Sequence, residues 1–240
     1  YSGMKVGRRY LADILERFCQ KGYIPTVFMT TGPGNGRELA RQYAPSHDLC
    51  VVCGGDGTFN EVVSGVVESG CDTPIGYIPC GSTNDFANSL RLPKSMKRSA
   101  EVAVKGKVFP CDIGVFNKSV FVYVAAFGMF TEVSYATDQS LKNALGHMAY
   151  VLKGVQSLTS VKAYDMRFEC DDQIIEGKFI YGMITNSVSV GGFKKLTGKN
   201  VELNDGKLEV TLVRQPENLQ DMNRIVTALV DRNPNNEFIY

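Results

Sequence analysis

The chain has no apolar run of the roughly 18 residues needed to cross a bilayer, and its start lacks the basic, apolar and small-residue order of a signal peptide. The expectation is therefore a soluble, cytoplasmic protein. Neither sign of charge is in excess. The 26 Lys and Arg residues stand against 25 Asp and Glu, a net charge of +1, which gives no electrostatic footprint for nucleic acid. Histidine is scarce, with only His47 and His147. Without a second cysteine pair or nearby histidines, the C-x-x-C of Cys50 and Cys53 does not read as a zinc or redox site. The seven cysteines are an odd number scattered among apolar neighbours, as reduced buried thiols are, and Cys50 and Cys53 are expected to pack within a buried strand. The sequence also contains no internal repeat, low-complexity tract or G-x-x-x-x-G-K-[ST] phosphate loop.

What is present is an ordinary globular composition, 44% hydrophobic and 21% charged over 240 residues, enough for one large or two ordinary domains. The first half alternates patterns. Leu11, Ile14, Leu15 and Phe18 recur at helical spacing before a stop at Gly22. Strands are expected at "YIPTVFMT", "LCVVC" and "PIGYIP", and helices near 37–43, from Thr58, from Ser82 to before Pro93, and through "SAEVAVKG". Strands alternating with helices imply a layered α/β domain with a mainly parallel sheet, placed here at residues 1–108. Near Cys111 the texture changes to short β-rich segments separated by turn signals such as "CDDQ" and "NDGK", so residues 109–240 read as a mainly antiparallel β domain. That domain carries a helical insertion at about 140–158, with Leu141, Leu145, Met148, Leu152 and Val155 on one face, and a C-terminal helix in "ENLQDMNRIVTALVDR".

The stretch "LCVVCGGDGTFNEVVSGVVES" carries the chemistry. It reads as a buried strand, a sharp turn and a helix whose Phe59, Val62, Val63, Val66 and Val67 share one face. Thr58 and Glu61 stand at capping-box spacing. Gly54, Gly55 and Gly57 lack the Cβ that would block close approach to the backbone. Placed between a strand end and a helix N-terminus, they present N–H groups where the helix dipole favours an anion, which suits phosphate. Asp56 would repel a phosphate unless a cation such as Mg²⁺ intervenes, although it could also cap the turn. "IPCGSTNDFANSL" repeats the strand–turn–helix order, with Ser82 and Asp85 at cap-like spacing and Phe86 and Leu90 on the inner face. Two such turns after neighbouring parallel strands would open into one crevice at the carboxyl ends of the sheet. "TGPGNGRELA" also opens a helix, but its G-x-G-x-G order and the missing ribose-binding acid make it a surface turn rather than a dinucleotide site.

"GGDGTFNEVVSGV" resembles the signature of the diacylglycerol kinase catalytic domain family, and "PCGSTNDFA", "ALGHMAYVLKG" and "LNDGKLEVTLV" resemble further elements of it in order. The resemblance implies an N-terminal three-layer α/β domain that binds ATP and a C-terminal, β-sandwich-like lipid-substrate domain. It implies ATP and Mg²⁺ as cofactors, a kinase reaction on a lipid hydroxyl, and a place in phospholipid biosynthesis. Ser2 and Gly3 would belong to a first ATP loop, and Thr30 to a nucleotide contact with Thr31 as its near rival. Gly54, Gly55, Asp56, Gly57, Thr58, Phe59 and Asn60 would form the main phosphate loop, with Asp56 in the catalytic role. Ser82, standing where the family has threonine, would join Asn84 and Asp85 in the facing loop. Asp205 would ligate metal, together with Glu202 and the Lys207 carbonyl. Without the resemblance, Asp205-Gly206 reads as a hairpin turn. Lys5, Arg8 and Arg9 could neutralise phosphate, but read better as a solvated helix face. The family's D-G-E glutamate, its general base, finds no match among these residues, since the surroundings of Glu237 do not fit.

The expected activity is ATP- and Mg²⁺-dependent phosphorylation of diacylglycerol to phosphatidic acid. A kinase for another lipid alcohol such as a sphingoid base, an NAD kinase, and a catalytically incomplete nucleotide-binding module remain alternatives. The expected partners are a lipid substrate met by transient contact with a membrane surface and a second copy of the chain as a homodimer, with no nucleic acid and no transmembrane segment. "GGFKKLTGK" is too ordinary to be named as a membrane-binding face.

Overall fold

The computed structural model describes residues 2–129, 131, 162–171, 173–190, 193–194, 201–231 and 238–239. The helix expected at 140–158, the "ALGHMAYVLKG" element and Glu237 lie outside these residues. The molecule is mixed α/β and divides into two compact units, one of residues 1–123 with 203–206 and the other of 124–202 with 207–240.

In the first unit, α1 (Ser2–Cys19) ends at Gly22, whose φ of 82° lets Gly22 N–H and Tyr23 N–H reach back to the carbonyls of Cys19 and Phe18. Next come α2 (Asn35–Tyr43), β1 (Cys50–Gly54), α3 (Asp56–Ser69), β2 (Ile75–Pro79), the short α4 (Asp85–Ser89) and α5 (Met96–Lys105). β1 and β2 pair in parallel from Cys50↔Ile75 to Gly54↔Pro79. Side-chain alternation along β2 sorts the core into two faces. Tyr77 joins Phe59, Val62, Val63, Val66 and Phe86 on one face, while Ile78 joins Ile14, Phe18, Met96 and Ala100 on the other. Helices α2 and α3 thus cover one side and α1 and α5 the other. A β-hairpin of β3 (Gly114–Phe116) and β4 (Ser119–Phe121) follows, and Val122 enters the Phe59 cluster.

Several local expectations are corrected. "YIPTVFMT" forms no strand: it pairs with no other strand among the described residues, and Ile24 is 94% exposed. Val67 is 45% exposed, as α3 turns it away from the face that buries Val63 and Val66. Cys53 is exposed rather than buried within its strand.

The capping box of Thr58 and Glu61 is not formed. Helix α3 begins at Asp56 behind an N-cap Gly55, so Thr58 is already inside it. Glu61 instead accepts from the N–H groups of Gly34 (2.8 Å) and Gly36 (3.1 Å), capping α2 from the neighbouring helix. The two helices are held close at Gly65, where a Cβ would lie 2.8 Å from Ala40 Cβ and 2.9 Å from Arg41 N. Glu61→Ala is expected to cost about 1–2 kcal/mol, read as a shift of the urea unfolding midpoint, because both α2 donors lose a charged acceptor.

The second unit is antiparallel. The long strand β7 (Gln173–Thr185) forms a hairpin with β6 (Tyr164–Cys170) through its first half. That hairpin turns at the predicted "CDDQ", with Asp171 at a φ of 49°. The second half of β7 lies between β5 (Val124–Gly128) and β10 (Glu209–Arg214). A two-residue pair, β8 (Ser189–Val190) with β9 (Phe193–Lys194), stands between β7 and β10 in the chain. Phe179, Ile180, Met183, Leu212 and Ile225 are buried here, the last from the expected C-terminal helix, Leu219–Asp231.

Candidate active site

Parallel pairing of β1 with β2 brings the two glycine turns together. Cys80 N–H donates to Gly54 O at 2.9 Å, and the main chains of Gly55 and Gly81 touch: a Cβ on Gly81 would lie 2.6 Å from Gly55 Cα. A side chain on Gly81 is excluded, and a Cβ on Gly55 would lie a tight 3.2 Å from Gly81 Cα. The turn after β2 is held by Asn84, whose side chain accepts from Gly81 N–H (2.9 Å) and donates to Gly81 O (2.7 Å). Asn84 adopts φ 53°, ψ 52° to do so, a left-handed geometry that asparagine tolerates better than most residues.

Asp56 joins the two turns. Its carboxylate accepts from Asp85 N–H at 2.9 Å and Phe86 N–H at 3.1 Å, so it caps α4 across a gap of about thirty positions. The Ser82–Asp85 spacing therefore does not cap this helix; the N-cap is Asn84, and the cap charge comes from the other turn. Burial raises the Asp56 pKa, the negative charge of Asp85 adds to the rise, and the donated N–H groups oppose it. Tyr77 stands close by, and burial first and the Asp56 charge second push its hydroxyl pKa up.

The remaining candidates separate into two groups. Thr58 lies over Gly54, where a Cβ would meet Thr58 Cβ at 2.7 Å, and a Cβ on Gly57 would enter open space. Phe59 is core, stacked on Tyr77 at 4.3 Å between ring centroids. Asn60 accepts from Val122 N–H at 2.9 Å and donates to Val120 O at 3.4 Å, which fastens the chain after the β3–β4 hairpin. Thr31, rather than Thr30, bonds to Asn35 through its N–H at 3.1 Å. Ser2 and Gly3 open α1. Arg9 is exposed, with its guanidinium 6.0 Å from the Tyr10 ring centroid.

Asp205 sits on an exposed turn that returns to the first unit. Asp112 anchors it, with Asp112 N–H donating to Leu203 O and Gly206 N–H donating to Asp112 Oδ2, both at 2.7 Å. This is a tethered turn rather than the tip of a ladder. Glu202 and Lys207 flank it and are exposed. Among the described residues no group of three or more His, Cys, Asp or Glu is placed to hold a metal ion unaided. Sequence reasoning missed Asp112, Tyr77 and the wholly buried polar run Thr185, Asn186, Ser187 and Ser189. Only the last left a signal, in the polar "TNS" that follows the apolar stretch of β7.

Layered helices around a parallel strand pair, with backbone turns meeting at the strand carboxyl ends, define an open α/β protein. A model of the diacylglycerol kinase catalytic domain matches residues 1–116. A diacylglycerol kinase of Bacillus subtilis (strain 168) is 35% identical over 228 residues, covering 94% of this chain and 75% of that protein. One from Staphylococcus saprophyticus is 34% identical over 227 residues, covering 94% and 74%. A solved structure of a diacylglycerol kinase from Bacillus anthracis str. Sterne shares the fold at a TM-score of 0.66 and 21% identity, covering 94% of this chain and 76% of that one. A second structure from that organism reaches 0.77 at 21% identity, covering 100% and 79%. The chain belongs to the diacylglycerol kinase catalytic domain family.

Proposed function

We propose that the protein is an ATP- and Mg²⁺-dependent lipid kinase that transfers the γ-phosphoryl group of ATP to the hydroxyl of diacylglycerol, giving phosphatidic acid. One observation carries the phosphate site. The chain's own carboxylates occupy the N-termini of α2 (Glu61) and α4 (Asp56), while the N-cap of α3 is Gly55, with no side-chain cap and open space at Gly57. The Asp56 carboxylate stands on the first turn of α3 but accepts from the N–H groups of α4, so the N–H groups of Gly57 and Thr58 are the ones offered to an anion from outside the chain, with a cation between that anion and Asp56.

In this reading the backbone N–H groups of Gly57 and Thr58 bind phosphate oxygens, with the Ser82 hydroxyl contributing from the facing turn. Asn84 positions that turn through Gly81, and Asp56 locks the two turns in register. Phosphoryl transfer needs placement and charge neutralisation more than covalent help, and prearranged main chain supplies placement without reorganisation. The donor set fits Mg²⁺, which is commonly held by one or two carboxylates together with substrate phosphates. Asp56 and Asp85 would be those carboxylates, and the ion would neutralise charge on the transferring group. Asp205, Glu202 and the Lys207 carbonyl stay candidates for a further ion on the turn that Asp112 holds. The three-layer ATP domain and the sandwich-like lipid domain, expected at 1–108 and 109–240, would be the two compact units, whose boundary falls after Tyr123 because the β3–β4 hairpin and Val122 pack with the first. No helix among the described residues is long and apolar enough to cross a membrane, so the lipid would be met at the bilayer surface.

The test supplies labelled ATP and Mg²⁺ with mixed micelles of diacylglycerol or a sphingoid base, and with NAD in solution. Labelled phosphatidic acid formed faster than any other product supports the assignment. Label in NAD alone, or in the sphingoid base alone, overturns it.

A further inference from the structure

Cys53 immediately precedes Gly54 and Gly55, and Cys80 immediately precedes Gly81. Their sulfurs are 3.8 Å apart. Cys53 is exposed, Cys80 is only 8% exposed, and α1 passes them at Gly7, where a Cβ would lie 3.3 Å from Cys53 Sγ. The two thiols therefore stand side by side at the base of both glycine turns, with Cys53 open to solvent and Cys80 buried behind it.

We propose that Cys53 and Cys80 are a modification site: a hydroperoxide converts them to a reversible disulfide that ties the two glycine turns together and switches off ATP binding. The covalent part stands on the thiol geometry alone. Its effect on ATP rests on the functional reading above.

The exposed Cys53 meets the peroxide first. Its sulfur takes one peroxide oxygen, the O–O bond breaks, and the products are a Cys53 sulfenic acid and water. Cys80 sulfur then attacks Cys53 sulfur, the S–O bond breaks, and the departing hydroxide takes the Cys80 proton as a second water. The sulfur pair loses two electrons and the peroxide gains them. The contact between the two sulfurs raises the pKa of Cys53 and lowers that of Cys80. The first step is thereby slowed and the second favoured, so sulfenic acid does not accumulate.

A disulfide bond is about 2.05 Å long, so the sulfurs must close well inside their present separation. The turns above them have no slack, since Gly55 and Gly81 already touch. Because each thiol lies one residue before its glycine turn, closing the pair pulls on the main chain proposed to bind phosphate, and loss of one hydrogen bond to a charged group there weakens binding about tenfold or more.

The experiment treats the full chain with graded hydrogen peroxide, blocks remaining thiols by alkylation, and maps peptides by mass spectrometry beside calorimetric titration with Mg-ATP. The expected result is a linked peptide pair carrying Cys53 and Cys80, a loss of Mg-ATP affinity of about tenfold or more, and, on adding dithiothreitol, loss of the link and recovery of the affinity. Cys53→Ser and Cys80→Ser should bind Mg-ATP like the reduced parent and keep that affinity in peroxide. A Cys50–Cys71 link instead, or sulfinic acid at Cys53 without any link, overturns the site. A Cys53–Cys80 link that leaves Mg-ATP affinity unchanged overturns the switch but not the site. Reduced protein that binds no Mg-ATP at all, yet still forms the link, counts against the kinase reading and leaves the modification site standing.

Discussion

Asp56→Ala is expected to lower the rate of lipid phosphorylation by about a thousandfold and to destabilise the fold by about 2–3 kcal/mol. The two effects share one cause. The Asp56 carboxylate is the acceptor for two backbone donors of α4 and, in the proposed reaction, the acidic group between the phosphate turns. Removing it leaves Asp85 N–H and Phe86 N–H without that acceptor and frees the second turn from the first. Asp56→Asn separates the roles: it keeps one oxygen for an N–H and nearly the same shape, so it should recover part of the stability and little of the rate. Initial rates in diacylglycerol micelles and urea unfolding of both variants decide this. An Asp56→Ala protein as active as its parent would remove Asp56 from the mechanism.

The pH dependence follows from the same carboxyl. Its folded pKa lies above the ordinary 3.8 because burial disfavours the charge. Between 3.8 and the raised folded value the native state holds the proton more tightly than the unfolded state. The stability contributed by this residue therefore falls as pH rises through that window and is not regained above it. Asp56→Asn should abolish that slope, as read from unfolding midpoints across acidic pH. If the reaction needs the carboxylate ionised, the acid limb of the rate profile should also lie above 3.8 in the parent.

Gly81→Ala is expected to lower Mg-ATP affinity by about tenfold to a hundredfold and to cost about 1–3 kcal/mol. The added Cβ would sit 2.6 Å from Gly55 Cα, which is main chain and cannot rotate away, and 2.9 Å from Asn84 Oδ1, the side chain that holds the turn, so the turns must part. Gly57→Ala is the informative contrast. Its Cβ enters open space on the first turn of α3, where alanine favours the helix by up to about 1 kcal/mol. That variant should keep or gain stability while losing ATP affinity, because the methyl group projects where the phosphates are proposed to lie. Equal ATP binding by Gly57→Ala and the parent would exclude this helix end as the phosphate site.

These residues mark how far the sequence could be read. The strand–turn–helix order of both glycine turns was legible because it rests on side-chain period and on the steric freedom of glycine, properties of a few adjacent residues. The same local reasoning paired Thr58 with Glu61 and Ser82 with Asp85, and placed Cys53 inside a buried strand. In the folded chain the carboxylates of Glu61 and Asp56 cap other helices, and Cys53 meets Cys80. "YIPTVFMT" has the composition of a strand, yet a strand also needs a neighbour, and composition does not supply one.

By itself, then, the sequence determined the strand–turn–helix order around Gly54–Gly57 and Gly81 and the turn at "CDDQ", and that two anion-compatible bends would follow neighbouring strands. Tertiary structure decided which carboxylate closes which helix, which helix end stays open, and which thiols touch. The physical reason is range. Backbone preference acts over a few residues, whereas a hydrogen bond or a sulfur contact is indifferent to how many residues separate its partners and depends only on where packing of the sheet and its helices brings them.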